Sequence, residues 1–299
     1  MQNKIDFTNC KKVIGKAYNG ANGKKIAVEY NGKRYMLKFP PSGDKKPTEL
    51  SYTNSCTSEH IASSIFNMLG IRAQETLLGT YDVNGKTKLV CACRDFTDRN
   101  KTLFDFCSIK NTVIDSEHNG SGTELSDVLE TIEKQQFVNP KLLLEHFWNM
   151  FVTDALLGNF DRHNGNWGFL FDEEKQGSEI APVFDCGSCL LPQADEKVMT
   201  EVLRNEDELN ARVFQFPTSA LKQNGKKINY YDFINSMENE DCNNAIIRII
   251  SKFDIGKINS FIEAVPYISD LQKEFYKTYI RARYEKILQT VYHKMNIQY

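Results

Sequence analysis

The sequence predicts an α+β chain in two lobes, strand-rich first and mainly helical second, on three observations. Two pairs of alternating apolar runs, each wrapped around an Asn-Gly turn, fill most of the first hundred residues. After about residue 105 the apolar residues recur at helical spacing instead. One strand pair, 167–171 and 180–184, interrupts that helical half.

Taken in order, KIAVEY (25–30), Asn31-Gly32 and KRYMLKF (33–39) make a hairpin. Ile26, Val28 and Tyr30 alternate, as do Tyr35, Leu37 and Phe39. A pause rich in Pro, Gly and Lys covers 40–47, and SEHIASSIFNMLG (58–70) then reads as a helix. Ile61, Ile65 and Leu69 share a face, Ser58 is the expected N-cap and Gly70 the stop. ETLLGTY (75–81) and KLVCACRDF (88–96) flank a second turn at Asn84-Gly85. Helices are expected over 124–135, 140–157 and 267–297. The expected lobes are residues 1–105 and 106–299, with a hinge near 92–96.

The chain has 299 residues and 41% hydrophobic content, enough for one large domain or two lobes. Thirty-seven Lys and Arg against 39 Asp and Glu give a net charge of −2, so no nucleic-acid partner is expected. MQNKIDFTNCKK lacks the apolar run of a signal peptide, and no stretch reaches membrane-spanning length. The longest apolar-rich stretch, 142–158, is interrupted by Glu145, His146, Asn149 and Asp154 and reads as a buried amphipathic helix, so no membrane partner is expected. Eight scattered cysteines read as reduced thiols of a cytosolic protein. Cys186-x-x-Cys189 with Cys91-x-Cys93 suits a zinc site poorly by spacing.

The chemistry sits in GNFDRHNGN (158–166), between the 140–157 helix and the late strand pair, with Asp185 closing that pair. A hairpin brings its ends together, so Asp161, Asn166 and Asp185 are expected to converge. That set suits phosphoryl transfer from ATP, which needs positioning and charge neutralisation. One Asp accepts the attacking hydroxyl's proton, an Asn five positions on and a second Asp hold Mg²⁺, and a strand Lys steadied by a helix Glu meets the phosphates.

Spacing alone decides nothing. Asp-x-x-x-x-Asn occurs at 95/100, 154/159, 161/166 and 254/259, where random placement of 18 Asp and 26 Asn predicts about 1.6. Only Asp161/Asn166 lies in a helix-to-strand loop with an Asp-terminated hairpin after it. Lys38 ends its strand on the face opposite Leu37 and Phe39, and Glu59 follows in the first turn of the next helix. Strand Lys, helix Glu, two strands, helix, Asp loop, hairpin and Asp is the order of parts in a two-lobed kinase. YNGANGKK (18–25), just before the first hairpin strand, matches no standard glycine motif and by itself reads as a plain turn. His163 is expected to brace the loop or contact the nucleotide, leaving Asp161 as the base.

The loop also resembles the Asn-x-Asp-x-His-x-x-Asn pattern of the HipA-like serine/threonine kinases, here Asn159, Asp161, His163 and Asn166, and IAPVFDCGSCL resembles their metal-Asp segment. The resemblance spans roughly residues 5–280. It implies a kinase fold, ATP with Mg²⁺, a protein substrate with a Ser or Thr acceptor, and autophosphorylation. It makes Asp161 the base, Asn166 and Asp185 the metal ligands, Lys38 a phosphate contact and Phe184 the residue before the metal Asp. Only on this resemblance do Asn19, Gly20, Ala21, Asn22, Gly23 and Lys24 become a loop over the phosphates. It puts the hinge at Ala92, Cys93 and Arg94. HipA toxins carry an extra N-terminal segment, whereas this chain starts almost at the first strands, which speaks against an antitoxin partner. Their regulatory Ser before the phosphate loop is matched here by Ala17-Tyr18-Asn19. Export to host cells follows from family analogy alone.

Small-molecule or lipid kinases and a silent kinase-like scaffold remain as alternatives. CGSCLLPQADEKV after Asp185 is not the basic segment that lipid headgroups need, and a scaffold needs none of Lys38, Asp161, Asn166 and Asp185.

Overall fold

The computed structural model describes residues 4–16, 18, 24–40, 53–97, 100–114 and 120–297. Strands β1 (Lys11–Lys12), β2 (Lys25–Tyr30), β3 (Lys33–Lys38), β4 (Thr76–Val83) and β5 (Lys86–Arg94) form an antiparallel sheet in the order β1-β2-β3-β5-β4. Both Asn-Gly pairs turn as expected: Asn31 and Asn84 take φ of 49° and 53°, with Gly32 and Gly85 also left-handed.

Alternation divides this sheet into two faces. Val28, Tyr35, Leu37, Phe39, Val90 and Ala92 pack with Phe7 and Tyr81 on one side. Cys91 and Cys93 join the main core on the other, with Met36 packed against it. Lys38 therefore leaves β3 on the side opposite its neighbours Leu37 and Phe39, toward helix α1 (Ser55–Met68).

Helix α1 starts earlier than expected. Asn54 is its N-cap, while Ser58 lies inside it and is fully buried. Glu59 accordingly sits in the second turn rather than the first. Ile61, Ile65 and Leu69 are buried together, and Gly70 (φ 76°) ends the helix.

Strand β6 (Lys101–Asp105) pairs with β7 (Gly168–Asp172), which pairs with β8 (Gly177–Ile180). Residues 101–105 thus belong to the sheet of the helical half, and the lobe boundary falls before Lys101 rather than after residue 105. β8 also lies three residues earlier than expected. Pro182 has no N–H for a ladder, and the stretch after Ile180 instead makes a bridge between Val183 and Ala73.

The remaining elements are α2 (Phe106–Val113), α3 (Leu125–Lys134), α4 (Pro140–Leu157), α5 (Glu196–Arg204), α6 (Glu206–Phe214), the short hairpin β9 (Lys222–Gln223) and β10 (Lys226–Lys227), α7 (Tyr230–Ser236), α8 (Glu240–Ile250), α9 (Ile255–Ala264), α10 (Asp270–Arg283) and α11 (Thr290–Ile297), the last two joined by a wider turn at Tyr284–Gln289. Helix α4 is the axis of this half. Asn139 caps it, Pro140 occupies its first turn, and Leu143, Phe147, Trp148, Phe151, Val152 and Leu156 are buried along it. It stops at Gly158 (φ 64°), where a Cβ would collide with the Tyr279 hydroxyl, so only glycine both turns the chain and fits there. None of the described helices is long and apolar enough to cross a membrane.

Candidate active site

A cleft of about 650 Å³ runs between the sheet and the loop that follows α4, and Lys38, Glu59, Asp161, Asn166 and Asp185 all line it. The set drawn from scattered sequence positions is one cluster.

Lys38 Nζ donates to Glu59 Oε2 at 2.7 Å and to Asp185 Oδ1 at 2.9 Å. Glu59 is 1% exposed, and its other oxygen accepts the backbone N–H of Cys186 at 3.0 Å. One helix carboxylate therefore holds both the strand lysine and the residue after Asp185. Burial works against the Lys38 ammonium, yet the Asp185 and Glu59 carboxylates raise its pKa well above the ordinary value. Lys38 in turn holds Asp185 down to about 2, against the opposing effect of burial. Asp185 adopts a left-handed φ of 57°, a strained conformation for a non-glycine residue that these contacts fix in place.

The loop bearing Asp161 is braced from beneath. Asp154, buried in the last turns of α4, takes Arg162 Nε at 3.0 Å on one oxygen and Asn159 Nδ2 at 2.8 Å on the other. The Arg162 guanidinium also donates to the carbonyls of Asn166 (2.9 Å) and Phe184, and its remaining nitrogen lies 3.4 Å from Cys186 Sγ. Tyr230 OH donates to the Asn159 carbonyl at 2.6 Å. A single buried fork thus fixes the Asp161 loop and the Asp185 segment to each other. Asp161 N donates to Asn159 Oδ1 at 3.1 Å, and burial raises the Asp161 pKa above 3.8.

Asn166 Nδ2 donates to the Asp161 carbonyl at 2.7 Å, which leaves the amide oxygen as the end able to meet a cation. His163 Nδ1 accepts the Gly165 N–H at 3.0 Å, so a neutral ring carries its proton on Nε2. The ring braces the loop and lines the cleft. Phe184 lies beside Phe96, with ring centroids 5.8 Å apart.

Two expectations about the cleft move. Ala92 and Cys93 are fully buried, and together with Arg94 they pair with β3, so none is in a connector. The residues after the strand that line the cleft are Asp95, Phe96 and Thr97, because β5 keeps its ladder through the expected hinge and ends at Arg94. Lys24 Nζ sits 5.6 Å from the Phe39 ring centroid, and it is Lys25 that lines the cleft. Asn19, Gly20, Ala21, Asn22 and Gly23 lie outside the described residues.

The brace is what sequence reasoning missed. Asp154/Asn159 has the same spacing as Asp161/Asn166 and was passed over with the chance pairs. The signal is in the sequence: Asp154 falls among apolar positions at helical spacing just before the loop, where a charge survives only if paired, and Arg162 inside the loop is a cation within reach.

Among the described residues no three His, Cys, Asp or Glu side chains gather as a metal site. The Asn166 and Asp185 oxygens fit a different demand, that of Mg²⁺, which takes one or two protein oxygens and completes its shell with phosphate and water. Cys186 and Cys189 are buried free thiols.

Residues 17–254 match the HipA-like C-terminal domain family. This chain belongs to that family. The serine/threonine-protein kinase CtkA of Helicobacter pylori (strain J99) is 52% identical over 288 residues, covering 95% of this chain and 86% of that protein. A crystal structure of a Helicobacter pylori proinflammatory kinase CtkA matches with a TM-score of 0.93 at 50% identity over 99% of both chains. The Shewanella oneidensis HipA, solved with HipB and operator DNA, matches at 0.54 and 17% identity over 93% of this chain and 68% of that one, which shows the shared fold alone. The fold is the two-lobed protein-kinase-like fold, and this HipA-like chain is a serine/threonine-protein kinase.

Proposed function

We propose that this HipA-like kinase transfers the γ-phosphoryl group of ATP to a serine or threonine hydroxyl with Asp161 as general base, and that its own chain is among the acceptors. The observation that carries the reading is the contact of Lys38 with Asp185 in a cleft that Asp161 and Asn166 also line. Asp161 takes the proton of the attacking hydroxyl, and its position is held by Asn159 and the Asp154–Arg162 brace. Lys38, kept charged by Glu59 and Asp185, neutralises phosphate oxygens. Asn166 Oδ1 and Asp185 would hold Mg²⁺, whose charge offsets that of the phosphates when it is bound. Phe96 and Phe184 offer apolar surface for a nucleobase beside the 95–97 connector.

Incubation of the purified chain with γ-labelled ATP and Mg²⁺, followed by mapping of the modified residue, tests this. Label on Ser or Thr of the chain is expected. Absence of both label and nucleotide binding would refute the reading.

A further inference from the structure

The hairpin of β9 and β10 carries an unbalanced charge. Asn224 and Gly225 turn it at left-handed φ of 53° and 75°. Its register sets Lys222 directly opposite Lys227 and Gln223 opposite Lys226. Directly opposed residues project from the same face, so two ammonium groups share one side of the ribbon, an arrangement that like charges disfavour. Residues 222–227 are all exposed. Among the described residues, none of the three lysines has a carboxylate within ion-pair distance. Glu124, bridged to Lys222, turns its carboxylate to the Gly225 N–H at 3.2 Å instead.

This hairpin is tied to the Asp161 loop at both ends. The Lys222 N–H donates to the Thr123 carbonyl at 2.8 Å, and Thr123 Oγ1 donates to the Ala220 carbonyl at 2.8 Å. One residue before Thr123, the Gly122 carbonyl accepts Asn164 Nδ2 at 2.8 Å. Three residues after Lys227, Tyr230 OH donates to the Asn159 carbonyl at 2.6 Å. Asn159 and Asn164 bracket Asp161, so the hairpin stands beside the loop that bears it. Burial raises the Asp161 pKa, and Lys227 is close enough for its charge to oppose that rise. None of the three lysines lines the cleft, so their charge lies outside the space for the nucleotide.

We propose that Lys222 and Lys227 form a subsite for carboxylate side chains of the protein substrate, so that the kinase favours a Ser or Thr flanked by Asp or Glu. This inference rests on the reading of Asp161 as the base that receives the acceptor hydroxyl. A substrate that brings its hydroxyl to Asp161 meets the negative charges of Asp161 and Asp185, which repel acidic flanking residues. The lysine pair reverses that bias beside the loop. A carboxylate between the two ammonium groups also relieves their opposition. Both lysines are exposed, so the preference is modest and falls as salt rises.

The test uses three peptides of equal length as acceptors for γ-labelled ATP with Mg²⁺. Each has a single Ser, flanked on both sides by Asp and Glu, by Ala and Gln, or by Lys, and autophosphorylation is followed alongside. Wild type is expected to give a kcat/KM about 10-fold higher for the acidic than for the neutral peptide, mainly through KM, with the Lys peptide poorer still. The ratio should shrink as salt rises from about 0.05 M to about 0.5 M. Combining Lys222→Glu with Lys227→Glu should reverse the order of the three peptides. The wild-type comparison needs no variant, so a double variant that fails to fold does not rescue the idea. Equal use of acidic and neutral peptides by wild type, or no labelled peptide while the chain labels itself, would overturn the subsite and leave Asp161 standing. Equal loss of transfer to all three peptides in the double variant would also overturn it, because the lysines would then act on the loop and not on the substrate. A wild type that labels neither itself nor any peptide would overturn both.

Discussion

Lys38 Nζ lies 2.9 Å from Asp185 Oδ1, a contact made across 147 residues of chain. It joins the strand half of the molecule to the segment that follows the late hairpin, and Glu59 fastens both partners through its two oxygens. The cleft is thus organised around three charges from three separate parts of the sequence.

Lys38→Met removes the only cation from that triad and leaves Glu59, 1% exposed, without its ionic partner. Loss of one member of a buried pair costs about 3 kcal/mol of stability, and phosphoryl transfer falls by about 100-fold or more. Thermal unfolding and a single-turnover assay at saturating ATP check the two effects separately. Glu59→Gln is expected to be milder on both, because the amide oxygen still accepts from Lys38.

The brace beneath the loop gives a different signature. Asp154→Ala strands the Arg162 guanidinium, itself 5% exposed, and frees Asn159 from the α4 end. Destabilisation of about 3–5 kcal/mol is expected, with a fall in kcat larger than any rise in KM for ATP, because Asp154 holds the loop rather than the nucleotide. Chemical denaturation and steady-state kinetics of any folded fraction measure both.

Two carboxylates give the pH dependence of the reaction. Burial raises Asp161 above 3.8 while Lys38 holds Asp185 near 2. As pH falls, Asp161 therefore takes up its proton first, so on the proposed roles the base is lost before the cation ligand. The acid limb of kcat/KM is expected to have its midpoint above 3.8, while nucleotide binding persists to lower pH. A limb in activity that coincides with one in binding would contradict the assignment.

Stability has its own titration. His60 is 3% exposed in α1, bonds Thr76 Oγ1 through Nδ1, and has its pKa lowered to about 4, first by burial. The unfolded chain binds this proton more readily, near pH 6.5, so stability is present in full above 6.5 and drains as pH falls toward 4. The loss reaches about 3 kcal/mol. Burial also lowers His146 to about 4, so the slope of unfolding free energy against pH between 4 and 6.5 should fall by about half in His60→Asn, with the remainder from His146.

Much of this was legible from the chain because period and turn chemistry are local. Asn31-Gly32 and Asn84-Gly85 announce their hairpins by backbone demand, and the alternation of Tyr35, Leu37 and Phe39 already turns Lys38 to the opposite face. Asp161, Asn166 and Asp185 could be picked from their order, since a loop, a hairpin and an Asp leave few ways to converge. What stayed hidden depended on distant partners. β6 becomes a strand through β7, more than sixty residues later, so its own composition gave no sign. The 92–97 stretch reads as continuous strand and connector, and only pairing with β3 shows where the ladder ends, at Arg94. Asp154 and Arg162 look like ordinary charges until burial makes their pairing obligatory.

The most direct test of the central claim is single-turnover phosphoryl transfer from labelled ATP by Asp161→Asn beside wild type, with nucleotide affinity measured on the same samples. Asp161 is the proposed base and makes no hydrogen bond to Lys38 or Asp185. The expected result is transfer slowed by about 100-fold to 10,000-fold with ATP–Mg²⁺ affinity within a few-fold of wild type. Transfer at the wild-type rate in the variant would show that another group takes the proton, and the assignment of Asp161 would fall.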